Sequence, residues 1–129
     1  MNVALVALGG AFGAMARFGI GSLVIRFYDV SFPLGTMIAN IVGCFLMGLL
    51  IGSRFGERMP WFKHHVGIGF LGSLTTFSTF SAETLDLFRQ ERWAAAGSNV
   101  GASLILGLLA VAIGIALGQK LVGSEPVAS

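Results

Sequence analysis

The sequence predicts an all-α integral membrane protein: four transmembrane helices, the third one broken, in a single domain over residues 1–129. Three observations lead there. Hydrophobic residues make up 55% of the chain and charged residues 11%, against roughly 25% charged in an ordinary soluble domain. A soluble protein of this size needs polar surface that this chain lacks, so its solvent must be lipid. The apolar residues also fall into four long uncharged runs, each near the ~20 residues that cross ~30 Å of hydrocarbon. Finally, the third run contains a cluster of hydroxyl residues that disfavours continuous helix.

The spans are expected at about 2–25, 33–53, 66–88 and 93–119. The first is interrupted only by Arg17. Ala14-Met15-Ala16 imitates a signal-peptide cleavage site, but no Lys or Arg precedes the apolar stretch and the stretch resumes after Arg17. It therefore reads as a retained helix. The second span has Asn40 as its most polar member, and the fourth carries Asn99 and Ser103 on one face, four residues apart. Connections are short, and the tail from Val122 to Ser129 is small, polar and expected to fray.

The third span is uncharged over only 17 residues, Val66 to Ala82, about 26 Å as a continuous helix and slightly short of the bilayer. Six of its nine residues from Ser73 to Ser81 carry hydroxyls. Hydroxyl-to-backbone bonds and β-branching both weaken helix there. Extended chain would recover length at about 3.3 Å per residue. Such a break survives at membrane depth only where protein buries it or it lines a polar cavity.

Glycine spacing points to a tight bundle. Gly9/Gly13, Gly48/Gly52, Gly97/Gly101 and Gly114/Gly118 each repeat at the four-residue interval that lets helices approach closely. Cys44, the single cysteine, sits inside an apolar run and reads as a small packing residue.

Charge gives no orientation. With both termini on one side, that side holds Arg54, Arg58, Lys63 and Lys120, and the other holds Arg26, Arg89 and Arg92. The positive-inside rule has no purchase on four against three. A chain without preference can insert both ways, so dual topology and an antiparallel homodimer are expected, the alternative being one orientation set by a weak bias. A net charge of +2 is too weak and scattered for a nucleic-acid footprint.

The intramembrane polar groups share one character. Asn amides, Ser and Thr hydroxyls and the positive edges of Phe77 and Phe80 are neutral donors or positive poles. The spans hold no acid at mid-depth, Glu83 and Asp86 standing at the end of the third. A proton-coupled cation antiporter of the small multidrug type would want a carboxylate in the first span, and none is there. The set suits an anion that sheds water without being trapped by a full positive charge, with Arg17 either drawing anions to an entrance or anchoring at the interface. A non-transporting assembly subunit would explain the glycines but not the clustered hydroxyls. His64 and His65 are adjacent, have no third ligand at metal spacing, and read as solvated. No catalytic constellation stands out, so an enzyme is not expected.

The run Gly72-Ser73-Leu74-Thr75-Thr76-Phe77-Ser78-Thr79-Phe80-Ser81-Ala82-Glu83 closely resembles the signature of the Fluc (CrcB) fluoride channels. Gly35-Thr36 followed by Asn40, Arg17 in the first span and Gly101-Ala102-Ser103 in the fourth fall where that family places similar residues. The resemblance implies a passive fluoride-selective channel of the cytoplasmic (inner) membrane that expels fluoride, built as an antiparallel homodimer with two pores. It implies that Asn40 donates to fluoride, that Phe77 and Phe80 present ring edges to it, that Thr79 and Ser103 line the route, and that Arg17 stands near an entrance. It further implies a structural sodium ion, Na+, at the dimer centre, held by backbone carbonyls of Gly72 and Thr75; carbonyls freed from helix bonding are ligands suited to a small cation. Two departures are Ser73, where many relatives carry a second glycine, and Asn99, where some carry a polar aromatic.

Overall fold

A computed structural model describes residues 3–28, 31–53 and 59–121. The side chains at 60, 63 and 64 lie outside that description, as do Asn2, Arg54, Arg58 and the tail from Val122. The expected fraying of the tail, the reading of His64 and the charges at Arg54, Arg58 and Lys63 therefore fall outside the described residues.

All regular structure among the described residues is helical. Helix α1 covers Val3–Phe27 and α2 covers Leu34–Gly52. Pro33 stands just before α2, where its missing N–H costs no hydrogen bond. The next helical segment, α3 (residues 60–74), opens with one turn at Pro60–Phe62, runs as π-helix through Lys63–Leu71 and closes with another turn at Gly72–Leu74. Helix α4 follows over Phe77–Arg89, and α5 over Trp93–Leu121. Helices α1, α2 and α5 are each long and apolar enough to cross a membrane. Neither α3 nor α4 is, because the third hydrophobic run is divided between them.

The division falls inside the hydroxyl cluster. Thr75 has φ −86° and ψ 154°, and Thr76 has φ −151° and ψ 113°, both extended. Thr76 then caps α4: its hydroxyl accepts from the Thr79 amide at 3.1 Å. This satisfies one of the four N–H groups that a helix start leaves without a partner.

The far end of α4 closes in a turn of Schellman form. The Arg92 amide reaches the Leu87 carbonyl and the Glu91 amide the Phe88 carbonyl, both at 3.0 Å. Glu91 carries the left-handed φ of 59° that this turn requires. Phe88 and Trp93, ring centres 5.5 Å apart and planes tilted by 54°, pack α5 against it.

The most extensive contact joins α2 to α5, followed by α1 to α3. Glycine makes the first possible. A Cβ at Gly48 would collide with the Val111 carbonyl, and one at Gly114 with the Phe45 carbonyl. The backbones therefore meet directly. Gly9 and Gly13 face the backbone of α3 in the same manner, whereas a Cβ at Gly97 or Gly101 would meet nothing within 4 Å among the described residues.

The core is small. Met37, Ala39, Leu71, Leu74, Leu87, Ala96 and Ala110 are its buried apolar residues, and Leu74 and Asn99 are its largest fully buried side chains. Helix α1 buries Gly13 alone. Its apolar outside, including Phe12 and Phe18, suits lipid or another protein surface better than water. Buried His65 departs from the solvated reading: its Nδ1 meets the Trp61 carbonyl, one helical turn back.

Candidate functional site

The α3–α4 junction gathers most of the polar residues singled out in the sequence. Its extended backbone exposes peptide groups that a helix would use internally, and α2 supplies the partner. The Thr76 amide donates to Asn40 Oδ1 at 2.7 Å, and Asn40 Nδ2 donates back to the Thr76 carbonyl at 3.2 Å. The carboxamide thus imitates a peptide group and closes the break from the side. Asn40, expected from the resemblance to donate to an ion, here makes both of these bonds to the peptide of Thr76. An amide nitrogen carries two hydrogens, so one donor of Asn40 remains beyond the bond to Thr76.

This pairing has a consequence for the carbonyls. In a continuous helix the Thr76 amide would cover the Gly72 carbonyl, and the Thr79 amide the Thr75 carbonyl. Here those amides go to Asn40 Oδ1 and to the Thr76 hydroxyl. Both carbonyls are therefore released from the helical ladder, which is the donor chemistry a hard cation requires. Thr75 itself is held by its own hydroxyl, which donates to the Leu71 carbonyl at 2.9 Å.

Around Thr76 the hydroxyls form a local cluster. The Thr76 hydroxyl lies 3.0 Å from that of Thr79 and 3.2 Å from that of Ser78. Thr76 and Thr79 line a cavity of about 330 Å³ together with Arg17, Phe18, Gly21, Ser22, Ile25, Gly35 and Thr36. Arg17 and Thr79, widely separated in sequence, thus share one space. A second cavity of about 330 Å³ has Gly21, Ile25, Gly35 and Thr36 in common with it and adds Glu83, Asp86, Gln90 and Arg92. The Thr36 hydroxyl donates to Glu83 Oε1 at 2.9 Å, which fixes the acid at the boundary of the two.

Phe77 and Phe80 stand on the first turn of α4 with ring centres 5.8 Å apart and planes tilted by 38°. Phe77 is 80% exposed on the single chain, and Phe80 is half-buried. Ser103, on α5, has a buried Oγ with no partner among the described residues. It lies on a different helix from Asn40, one turn beyond Asn99. Asn99 is 1% exposed and donates to the Thr84 hydroxyl at 2.9 Å.

Sequence reasoning missed Thr76 as the hub. Its signal was present as a Thr three residues before another Thr at the start of a helix, an N-cap pattern masked by the surrounding hydroxyls. It also missed Thr84, for which an isolated Thr in an amphipathic helix gives no warning.

Comparison with known proteins locates this arrangement. The family model described as CrcB-like protein, Camphor Resistance (CrcB), matches residues 4–115. Proteins called fluoride-specific ion channel FluC are similar over nearly the whole length. The one from Dehalococcoides mccartyi is 44% identical over 122 residues, covering 93% of this chain and 94% of the relative. That from Shewanella oneidensis is 45% identical and that from Shewanella baltica 46%, each over 125 residues, 96% of this chain and 98% of the relative. The chain belongs to the CrcB family.

Proposed function

We propose that this CrcB-family chain is a passive, fluoride-selective channel that lets fluoride leave the cytoplasm down its electrochemical gradient across the inner membrane. The relatives' shared name supplies the ion. The observation that carries the mechanism is the α3–α4 junction, where neutral donors converge and the cavity shared by Arg17 and Thr79 is lined by no acid.

Fluoride is small and strongly hydrated, so a route for it must replace water with donors while holding the ion weakly enough to release it. The spare Asn40 N–H and the Thr79 hydroxyl are such donors. The Ser103 hydroxyl, buried and unpartnered among the described residues, adds another. Ring edges of Phe77 and Phe80 carry partial positive charge and solvate an anion without a formal charge. Arg17, which lines that cavity, raises the local anion concentration.

The channel works as a dual-topology, antiparallel homodimer. A Phe77 ring 80% exposed on one chain, and Gly97 and Gly101 facing open space, are what a subunit interface along α4 and α5 would cover. The third span then crosses as a helix broken at Thr75 and Thr76, its extended backbone shielded by the partner. The released Gly72 and Thr75 carbonyls are half of a cation cage, and a second copy would complete it around a structural sodium ion that is not transported. Bound there, sodium would neutralise the carbonyl dipoles of two facing breaks.

Fluoride release from liposomes holding the purified chain tests this reading. A fluoride electrode follows efflux while potassium and valinomycin carry the balancing current, with chloride-loaded vesicles in parallel. Fast fluoride release without matching chloride release is expected. No fluoride release from a folded preparation would overturn it.

A further inference from the structure

Asn99 and Thr84 form a polar link outside the proposed permeation route. Both are buried, at 1% and 7% exposure. Asn99 Nδ2 donates to Thr84 Oγ1 at 2.9 Å, and that hydroxyl donates to the Phe80 carbonyl at 2.7 Å. A hydroxyl has one hydrogen and a free rotor. When Asn99 donates to it, the hydrogen must point elsewhere, and the Phe80 carbonyl is where it goes. The relay therefore runs in one direction, from α5 through Thr84 into the backbone of Phe80.

We infer that Asn99 is a positioning residue: acting through Thr84, it fixes the turn of α4 that carries Phe80 and so sets the orientation of that ring in the permeation route. The inference rests on the channel reading, because only there does the ring's angle matter to an ion. The local chemistry explains why a fixing device sits here. α4 begins at a break, two residues of extended chain away from α3, so its first turn lacks the support of a preceding helix. A Thr hydroxyl bonded to the carbonyl four residues back competes for that carbonyl and bends helices. Anchoring the hydroxyl from α5 makes the bend a fixed one. Ring-edge solvation of an anion depends on the ring's angle, since its face is negative and its edge positive. The Thr76 cap holds the start of the turn from one side, and Asn99 holds it from the other.

The test follows the ring directly as well as the flux. With 4-fluorophenylalanine placed at position 80, the fluorine resonance of the purified protein in detergent micelles reads ring orientation and mobility whether or not the chain transports anything. Asn99→Leu and Thr84→Val are expected to shift or broaden that resonance and to slow fluoride efflux about tenfold or more, as loose positioning does to a site. Thr84→Ser keeps the hydroxyl and is expected to retain both the parent resonance and the parent flux, which a role in bundle packing alone would not predict. If Asn99→Leu does not yield folded protein, Thr84→Val against Thr84→Ser carries the same comparison. An unmoved resonance with parent-like flux in Thr84→Val would overturn the inference. Absence of fluoride flux in the unaltered chain would instead remove the channel reading, and the resonance would then decide alone whether Asn99 orders Phe80.

Discussion

The α2–α5 seam and the α3–α4 junction solve opposite problems in the same bundle. Along the seam, backbone meets backbone because Gly48, Gly52, Gly114 and Gly118 remove the side chains between them. The contact there is made by close packing, the main source of helix association in lipid. At the junction the backbone leaves the helix for two residues and must find partners elsewhere. It finds them in Asn40 and in the Thr76 hydroxyl. The lesson is that polarity in a small membrane protein is concentrated where helix is given up, while the rest of the bundle is held by the absence of side chains. Substitutions in the two regions should therefore fail in different ways.

The largest effect is expected at the seam. Gly114→Val places atoms where the Phe45 carbonyl lies, so helices must separate. A loss of about 3 kcal/mol or more is expected, measured as lower thermal stability and a poor yield of monodisperse protein. Normal stability would mean that α2 and α5 are less tightly seated than the seam implies.

Asn40→Asp should break the junction with less damage to the fold. It removes the Nδ2 donor and sets a carboxylate oxygen against the Thr76 carbonyl. Leaving that group unpaired costs about 1–3 kcal/mol, and a negative charge at the junction repels the proposed ion. Fluoride efflux is expected to stop while the protein still elutes as the parent does. Parent-like efflux would take Asn40 out of the route.

Thr76→Val sharpens the distinction further. It deletes the cap of α4 with little change in shape, at about 0.5–2 kcal/mol. Reduced flux is expected, with recovery in Thr76→Ser, which restores the acceptor oxygen. Equal flux in both would assign the cap to stability alone.

The smallest effect belongs to the α4–α5 turn, outside both regions. Glu91 holds φ 59°, where a non-glycine residue costs about 1 kcal/mol. Glu91→Gly should raise thermal stability slightly and leave flux unchanged. A drop in stability would show that the Glu91 side chain contributes more than its backbone strain costs.

Much of this contrast was legible in the sequence. Uncharged runs placed α1, α2 and α5 within a few residues of their ends, and the two extended residues Thr75 and Thr76 fall within the hydroxyl run from Ser73 to Ser81. Glycine spacing marked the seam but could not say which pairs meet inside one chain, and a Cβ at Gly97 or Gly101 would have no neighbour within 4 Å among the described residues. Spacing along one helix carries no information about what stands opposite. For the same reason Asn40 was recognisable as a polar group that needs a partner, while its pairing with the Thr76 peptide required the fold. The π-helical stretch of α3, which packs against α1, left no signature in the spacing of its residues.

An ion that passes by the first turn of α4, as proposed, meets the Phe80 ring, and Phe80→Ile removes that ring. The substitution keeps an apolar side chain of similar bulk and removes only the ring edge. Fluoride efflux from liposomes should fall to the level of empty vesicles while gel filtration shows the parent's folded species. Undiminished fluoride efflux through Phe80→Ile would contradict the ring-edge mechanism and move the route away from the junction.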